Sequence, residues 1–158
     1  MAGKRLAKRF ERTFVDLDVE IEALFGKSVA RIFAQEGEAA FRAAEARLSQ
    51  TWAARVPAVL APGGGWVANR EAVAHLRPVA RIIYLRVSPA EALRRMGQGV
   101  RRRPLFAEGD PGEIMQRLYE TRRGYYETES DLVVETDGLT RSALADRVAK
   151  AVAVALDL

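Results

Sequence analysis

The sequence predicts a single α/β domain, a three-layer arrangement of a parallel sheet with helices on both faces. Three observations predict it. Short β-rich runs alternate with longer helical stretches along the whole chain. The run from Arg81 to Val87 is almost continuously apolar, as in strands covered on both sides. No Ser/Gly-rich linker and no internal repeat divides the 158 residues. Parallel strands need long crossovers, which are right-handed, and the helical stretches supply them.

The elements follow in order. Residues 3–12 read as a basic helix with Leu6 and Phe10 on one face, and Thr13 to Asp16 as a short strand that runs into the acidic Asp16-Leu17-Asp18. Asp18 or a neighbour caps a helix from Val19 to Phe25, which stops at Gly26. Ser28 opens another helical piece that closes at Gly37, and Glu38 to Ala54 is a long helix of Ala, Arg and Glu. The second strand, Ala58 to Ala61, runs into Pro62-Gly63-Gly64-Gly65 before a helix around Asn69 to Leu76. After the Arg81–Val87 strand, Ser88-Pro89-Ala90-Glu91 gives a capping Ser, a first-turn Pro and a Glu at the third helical position. Residues 97–112 lack periodicity and contain Arg101-Arg102-Arg103, which predicts a mobile basic loop. A helix from Glu113 to Tyr126, a strand from Leu132 to Glu135, a turn at Asp137-Gly138 and an amphipathic helix from Thr140 to Leu156 complete the chain.

Composition narrows the chemistry. With 49% hydrophobic and 29% charged residues, the chain has enough apolar side chains for one real core. It has no Cys and one His, which removes thiol nucleophiles, disulfide scaffolds and Cys- or His-rich metal sites. No apolar run approaches the ~20 residues of a membrane span, and the first ten residues lack a signal-peptide core, so a cytoplasmic protein is expected. The net charge of +4 is mild, and no nucleic-acid partner is expected. Only four of the 25 basic residues are Lys. Arg holds planar oxyanions through bidentate forks, so phosphates and carboxylates are suitable small ligands.

Several residues stand out against this background. Asp16 and Asp18 lie at i, i+2 at the carboxyl end of a strand, where ligands bind in open parallel sheets, although capping the next helix would also account for them. Arg42 and Glu45 share one helix face, as an ordinary ion pair would. Gly63-Gly64-Gly65 carries more conformational entropy cost than a plain turn requires and would let a ligand approach the backbone where a Cβ would collide. Trp66 either packs beneath a ligand at this turn or fills core, and His75 lies apart from all of these positions.

Taken together, Phe14-Val15-Asp16-Leu17-Asp18, Gly37-Glu38 with Phe41-Arg42 and Glu45, Gly63-Gly64-Gly65, Arg103-Pro104-Leu105, and Arg122 ahead of Tyr126 and Asp131 resemble the ordered motifs of shikimate kinases. The resemblance spans essentially the whole chain. It implies a P-loop, nucleoside-monophosphate-kinase-like α/β fold with strand order 2-3-1-4-5. It implies ATP-dependent phosphorylation of the 3-hydroxyl of shikimate in aromatic amino-acid biosynthesis, with Mg²⁺ and ATP as cofactor and cosubstrate and a monomeric enzyme. By resemblance Asp16 serves the magnesium side and Asp18 the substrate and base side. Arg42 and Arg122 take the substrate carboxylate, Glu45 steadies Arg42, Gly63, Gly64 and Gly65 contact the substrate, and residues 18–56 form a substrate-binding helical region. By the same resemblance residues 97–112 are a mobile basic lid, Arg103 is the lid arginine that meets ATP phosphates, and Arg95 stacks on adenine. A non-catalytic shikimate-binding or regulatory module and a kinase for another hydroxy acid, such as gluconate, are the alternative functions.

Two departures accompany the resemblance. Gly124-Tyr125-Tyr126 stands where the family commonly has Pro-Leu-Tyr, which bears on the helix end and the setting of Arg122. The phosphate-loop pattern G-x-x-x-x-G-K-[S/T] is missing, and Ala2-Gly3-Lys4-Arg5 only mimics its end. The expectation is one domain over residues 1–158, shortened at its amino terminus by the family's first strand and phosphate loop. In the order 2-3-1-4-5 that strand lies mid-sheet, so two interior edges would be left unpaired.

Overall fold

The computed structural model describes residues 2–55, 57–102 and 104–155. The chain alternates helix and strand as follows: α1 (Ala2–Arg9), β1 (Thr13–Asp16), α2 (Leu17–Phe25), α3 (Val29–Gln35), α4 (Gly37–Ala53), β2 (Ala58–Ala61), α5 (Arg70–Leu76), β3 (Ile83–Arg86), α6 (Pro89–Met96), α7 (Pro111–Glu129), β4 (Leu132–Glu135) and α8 (Arg141–Ala155). A single 3-10 turn, Trp66–Ala68, leads from the triple glycine to α5.

The caps explain where the helices begin. Asp16, in an extended conformation, accepts from the Asp18 backbone N–H at 3.2 Å, so α2 starts directly at Leu17 and the cap is Asp16 rather than Asp18. Ser28, Asn69, Ser88 and Asp110 cap α3, α5, α6 and α7 in the same way. Gly26 ends α2 in the left-handed region, its N–H returning to the Glu22 carbonyl.

All four strands pair in parallel. Thr13 stands opposite Ala58 and Asp16 opposite Ala61, while Ile83 stands opposite Leu132 and Arg86 opposite Glu135. Among the described residues no ladder joins β2 to β3, so the strands form two pairs rather than one continuous sheet. Helices on either side hold the pairs together. On one face Val15, Leu17, Ile21, Ile32, Phe41, Leu48, Trp66 and Val73 form the larger cluster, with Leu60 and Ile82 against it. On the other, Leu6 of α1 and Val148 and Val152 of α8 pack with Val134, and Val59, Ile83 and Leu132 lean on them. The residues of β2 alternate between these clusters, as a two-sided strand requires.

Two expectations are revised. The Arg81–Val87 run is not covered throughout: the strand narrows to Ile83–Arg86 and Leu85 is 37% exposed. The helix expected from Glu113 to Tyr126 is longer, because Asp110 caps it one residue ahead of Pro111 and its register carries on to Glu129. Gly124 therefore lies inside α7, and Arg122 and Tyr126 project from one continuous helix, one turn apart. The segment 97–112 contains two short 3-10 helices, Gly97–Arg102 and Pro104–Phe106, with Phe106 buried. Arg103 lies outside the described residues.

Candidate active site

The turn Gly63-Gly64-Gly65 lies at the carboxyl end of β2, beside the end of β1 where Asp16 and Asp18 stand. Each glycine faces a different side chain. A Cβ on Gly63 would lie 2.8 Å from Asp18 Oδ1, one on Gly64 would lie 3.3 Å from Arg122 Nη1, and one on Gly65 would lie 2.5 Å from Arg42 Nη2. Three residues far apart in sequence, from α2, α7 and α4, thus converge on three consecutive backbone positions. Close approach is why this turn is glycine: an alanine methyl at Gly63 or Gly65 would need space already filled by a charged group.

Asp18 has the electrostatics of a proton acceptor. Burial raises its carboxyl above the ordinary aspartate range, and the nearby charges of Asp16, Glu45 and Glu22 push the same way while Arg42 opposes them. Its Oδ1 is buried and has no hydrogen-bond partner among the described residues. A buried carboxylate oxygen without a donor is costly, and it marks a place where a hydroxyl can supply the missing proton. Asp16 commits Oδ1 to the Asp18 N–H, one oxygen of its two.

The two arginines differ in how they are held. Arg42 donates from Nη1 to Glu45 Oε2 at 2.6 Å and from Nε and Nη2 to Glu38 Oε1 at 3.2 Å. Glu45 is 1% exposed, so this pair is a fixed support rather than a solvated surface contact. Arg122 has no carboxylate partner among the described residues. One guanidinium is braced and the other is uncommitted, and both face the same turn.

The turn itself is anchored at its middle and its exit. Tyr126 Oη donates to the Gly64 carbonyl at 2.8 Å, and its ring stacks on Tyr84 of β3 with centroids 4.5 Å apart and planes inclined by 9°. Burial pushes the Tyr126 phenol up, with Arg122 opposing, so it remains a donor at neutral pH. Trp66 is core: its Nε1 donates to Ser49 Oγ of α4 at 3.0 Å, both residues being buried. Asn69 Nδ2 donates to the Arg42 carbonyl at 2.8 Å and to Glu45 Oε2 at 3.2 Å. The sequence places Asn69 only near a helix start; the alignment of a capping Asn with Glu45 needs the folded packing of α5 on α4.

Arg95 lies apart from this group. Its Nε donates to Glu91 at 2.8 Å, and its terminal nitrogens donate to the hydroxyl and carbonyl of Thr136 at 3.2 and 2.5 Å. These bonds use the guanidinium edge and leave its faces out of the hydrogen bonding. Gly26-Lys27-Ser28 has the final tripeptide of a phosphate loop, yet Ile21 occupies the position of the first glycine. There Gly26 caps one helix, Ser28 caps the next, and Lys27 pairs with Glu36. His75 is in the last turn of α5, at the opposite end of that helix from the Asn69 cap.

Comparison with known proteins matches residues 1–153 to the family model described as shikimate kinase. The chain belongs to the shikimate kinase family. The shikimate kinase of Bordetella pertussis is 40% identical over 142 residues, covering 90% of this chain and 67% of that protein. The shikimate kinase of Coxiella burnetii is 37% identical over 147 residues, covering 92% of this chain and 82% of that protein. Among solved structures, the Acinetobacter baumannii shikimate kinase in complex with shikimate superimposes with a TM-score of 0.89 at 28% identity, over 99% of this chain and 85% of that one. The Bacteroides thetaiotaomicron shikimate kinase gives 0.85 at 26% identity, over 99% and 90%. The α/β fold of shikimate kinases is thus the fold of this chain. No helix among the described residues is long and apolar enough to cross a membrane.

Proposed function

We propose that the Gly63–Gly65 turn binds shikimate and that the chain serves ATP-dependent phosphorylation of its 3-hydroxyl. The convergence of Asp18, Arg122 and Arg42 on Gly63, Gly64 and Gly65 supports this reading. A small carboxylated ring polyol needs a charged grip at one end and a proton acceptor at the other. Arg42 and Arg122 give the grip, because two guanidinium groups on one carboxylate fix orientation as well as position. Asp18 gives the acceptor, its unpartnered Oδ1 taking the hydrogen bond of the reacting hydroxyl and then its proton as the oxygen attacks phosphorus.

Shikimate kinases use ATP, and the nucleotide residues proposed here are Arg95, through the face of its guanidinium, and Arg103. The Mg²⁺ that accompanies ATP would be held on this chain by Asp16. Magnesium takes one or two carboxylates and completes its shell with water and phosphate oxygens, and Asp16, with one oxygen outside the Asp18 bond, fits such a role. When bound, the ion supplies charge neutralisation on the transferring phosphoryl group. A cytoplasmic monomer is the corresponding working form.

Calorimetric titration tests the reading. Shikimate is expected to bind the wild-type chain and to lose at least tenfold in affinity in Arg42→Ala; equal affinity in the two proteins would overturn the site. Titration with ATP·Mg²⁺, followed by detection of shikimate 3-phosphate, separates a kinase from a shikimate-binding module built on the same geometry.

A further inference from the structure

We propose that Asn69 is a positioning residue that sets how the site reads a carboxylate, acting through Glu45 on Arg42. The inference rests on the shikimate reading above and adds a residue outside the motifs that carry the resemblance.

Asn69 lies where the 3-10 turn after the glycines meets α5, and its side-chain amide divides its work. Oδ1 accepts from the Ala72 N–H at 3.3 Å and caps α5. Nδ2 donates twice into α4, to the Arg42 carbonyl at 2.8 Å and to Glu45 Oε2 at 3.2 Å. That same Oε2 accepts from Arg42 Nη1 at 2.6 Å. Glu45 is almost wholly buried, so its orientation is fixed by the donors it has, and a buried carboxylate deprived of one turns toward another. The second carboxylate on Arg42, Glu38, is 67% exposed and offers a weaker, solvent-screened hold. The guanidinium that crowds Gly65 is therefore set chiefly by Glu45, and Asn69 sets Glu45.

An Asn→Asp exchange separates this role from capping. Aspartate caps a helix as well as asparagine does, and it is nearly the same shape. It would keep the acceptor for Ala72 N–H and replace the donor with an oxygen facing a carbonyl and a carboxylate. The chemical consequence is specific to charge recognition. Shikimate methyl ester keeps the ring hydroxyls and lacks the anion, so it reports binding without the carboxylate contact.

The test measures calorimetric affinities of the full chain and its Asn69→Asp and Asn69→Ser variants for shikimate and its methyl ester. The Arg42 Nε–H resonance is followed by NMR in the same samples. In Asn69→Asp, shikimate affinity should fall at least tenfold, the preference for acid over ester should shrink by a similar factor, and the Arg42 Nε–H signal should broaden. Asn69→Ser keeps a capping oxygen and adds no charge; its affinity should fall about threefold to fivefold, and it decides the matter if the Asp variant does not fold. Affinities within twofold of wild type, an unchanged acid preference and a sharp Arg42 signal would overturn the proposal and leave Asn69 a cap. Wild-type protein that fails to bind shikimate at millimolar concentration refutes the proposed function instead. Asn69 is then judged on the Arg42 signal alone, its loss in Asn69→Asp supporting the positioning role and its persistence overturning it.

Discussion

Arg42 occupies the volume that an alanine methyl on Gly65 would need, with Nη2 2.5 Å and Nη1 2.9 Å from that position. A free arginine would swing away at little cost. This one is tethered to buried Glu45 and to Glu38, so the methyl group displaces either the guanidinium from its support or the turn from α4. Gly65→Ala should weaken shikimate binding at least tenfold, measured by calorimetry. Unchanged affinity would show that Arg42 is not part of the binding surface.

Gly124 gives the opposite expectation. It lies in the interior of α7, exposed, and a Cβ there meets nothing within 4 Å. Gly124→Ala removes backbone freedom from the unfolded chain without a steric cost, and should stabilise by about 0.5–1 kcal/mol. Thermal unfolding should show a rise of roughly 2–4 °C for each kcal/mol gained. A fall would mean that α7 does not continue through this position.

The Tyr126 hydroxyl can be tested apart from its ring. Tyr126→Phe keeps the stack on Tyr84 and removes the bond to the Gly64 carbonyl. One such bond contributes about 0.5–1.5 kcal/mol, so shikimate affinity should fall about twofold to tenfold if the turn loosens by that amount. Loss of stability with affinity intact would assign the hydroxyl to folding alone.

Asp18 links stability to pH. Its carboxyl is raised in the folded state, so the folded protein holds this proton at pH values where the unfolded chain has released it. Over the window from the ordinary aspartate value up to the raised one, this group makes stability decline as pH rises, and above the window the penalty is fully present. Asp18→Asn removes that penalty, and its melting temperature should exceed that of wild type at pH 7.5 and approach it near pH 3. Phosphoryl transfer should be lost. A lower melting temperature for the variant at pH 7.5 would refute the linkage.

Parts of the fold and of the candidate site are legible in the amino-acid sequence alone. Asp16 and Asp18 stand out by ending a strand, a position that helix capping also explains, the triple glycine by its entropic cost, and Ser88-Pro89 by helix-start chemistry, all of them local signals. The pairing of β1 with β2 and of β3 with β4 agrees with the order 2-3-1-4-5 without its first strand, which the family resemblance implies; the β-rich runs alone do not carry it, because ladder partners are set by what the chain folds against. Nor does the sequence show that Arg42 is braced while Arg122 has no carboxylate partner among the described residues; both are arginines on helices, and the difference lies in Glu45 being buried beneath one of them. The Arg95 edge bound to Thr136 and the two bonds donated by Asn69 Nδ2 depend on residues 41 and more than 20 positions away. Helical periodicity carries no information at that range.

The site also joins what the backbone leaves separate. Asp18 and the glycine turn belong to the β1–β2 pair, whereas Tyr126 rests on Tyr84 of the β3–β4 pair and shares its helix with Arg122. With no ladder bonds between β2 and β3 among the described residues, a ligand held as proposed, by Asp18 on one side and Arg122 on the other, would act as a tie across the molecule. Its arrival would then be recorded as slower amide-hydrogen exchange in strands from both pairs at once, well beyond the atoms it touches.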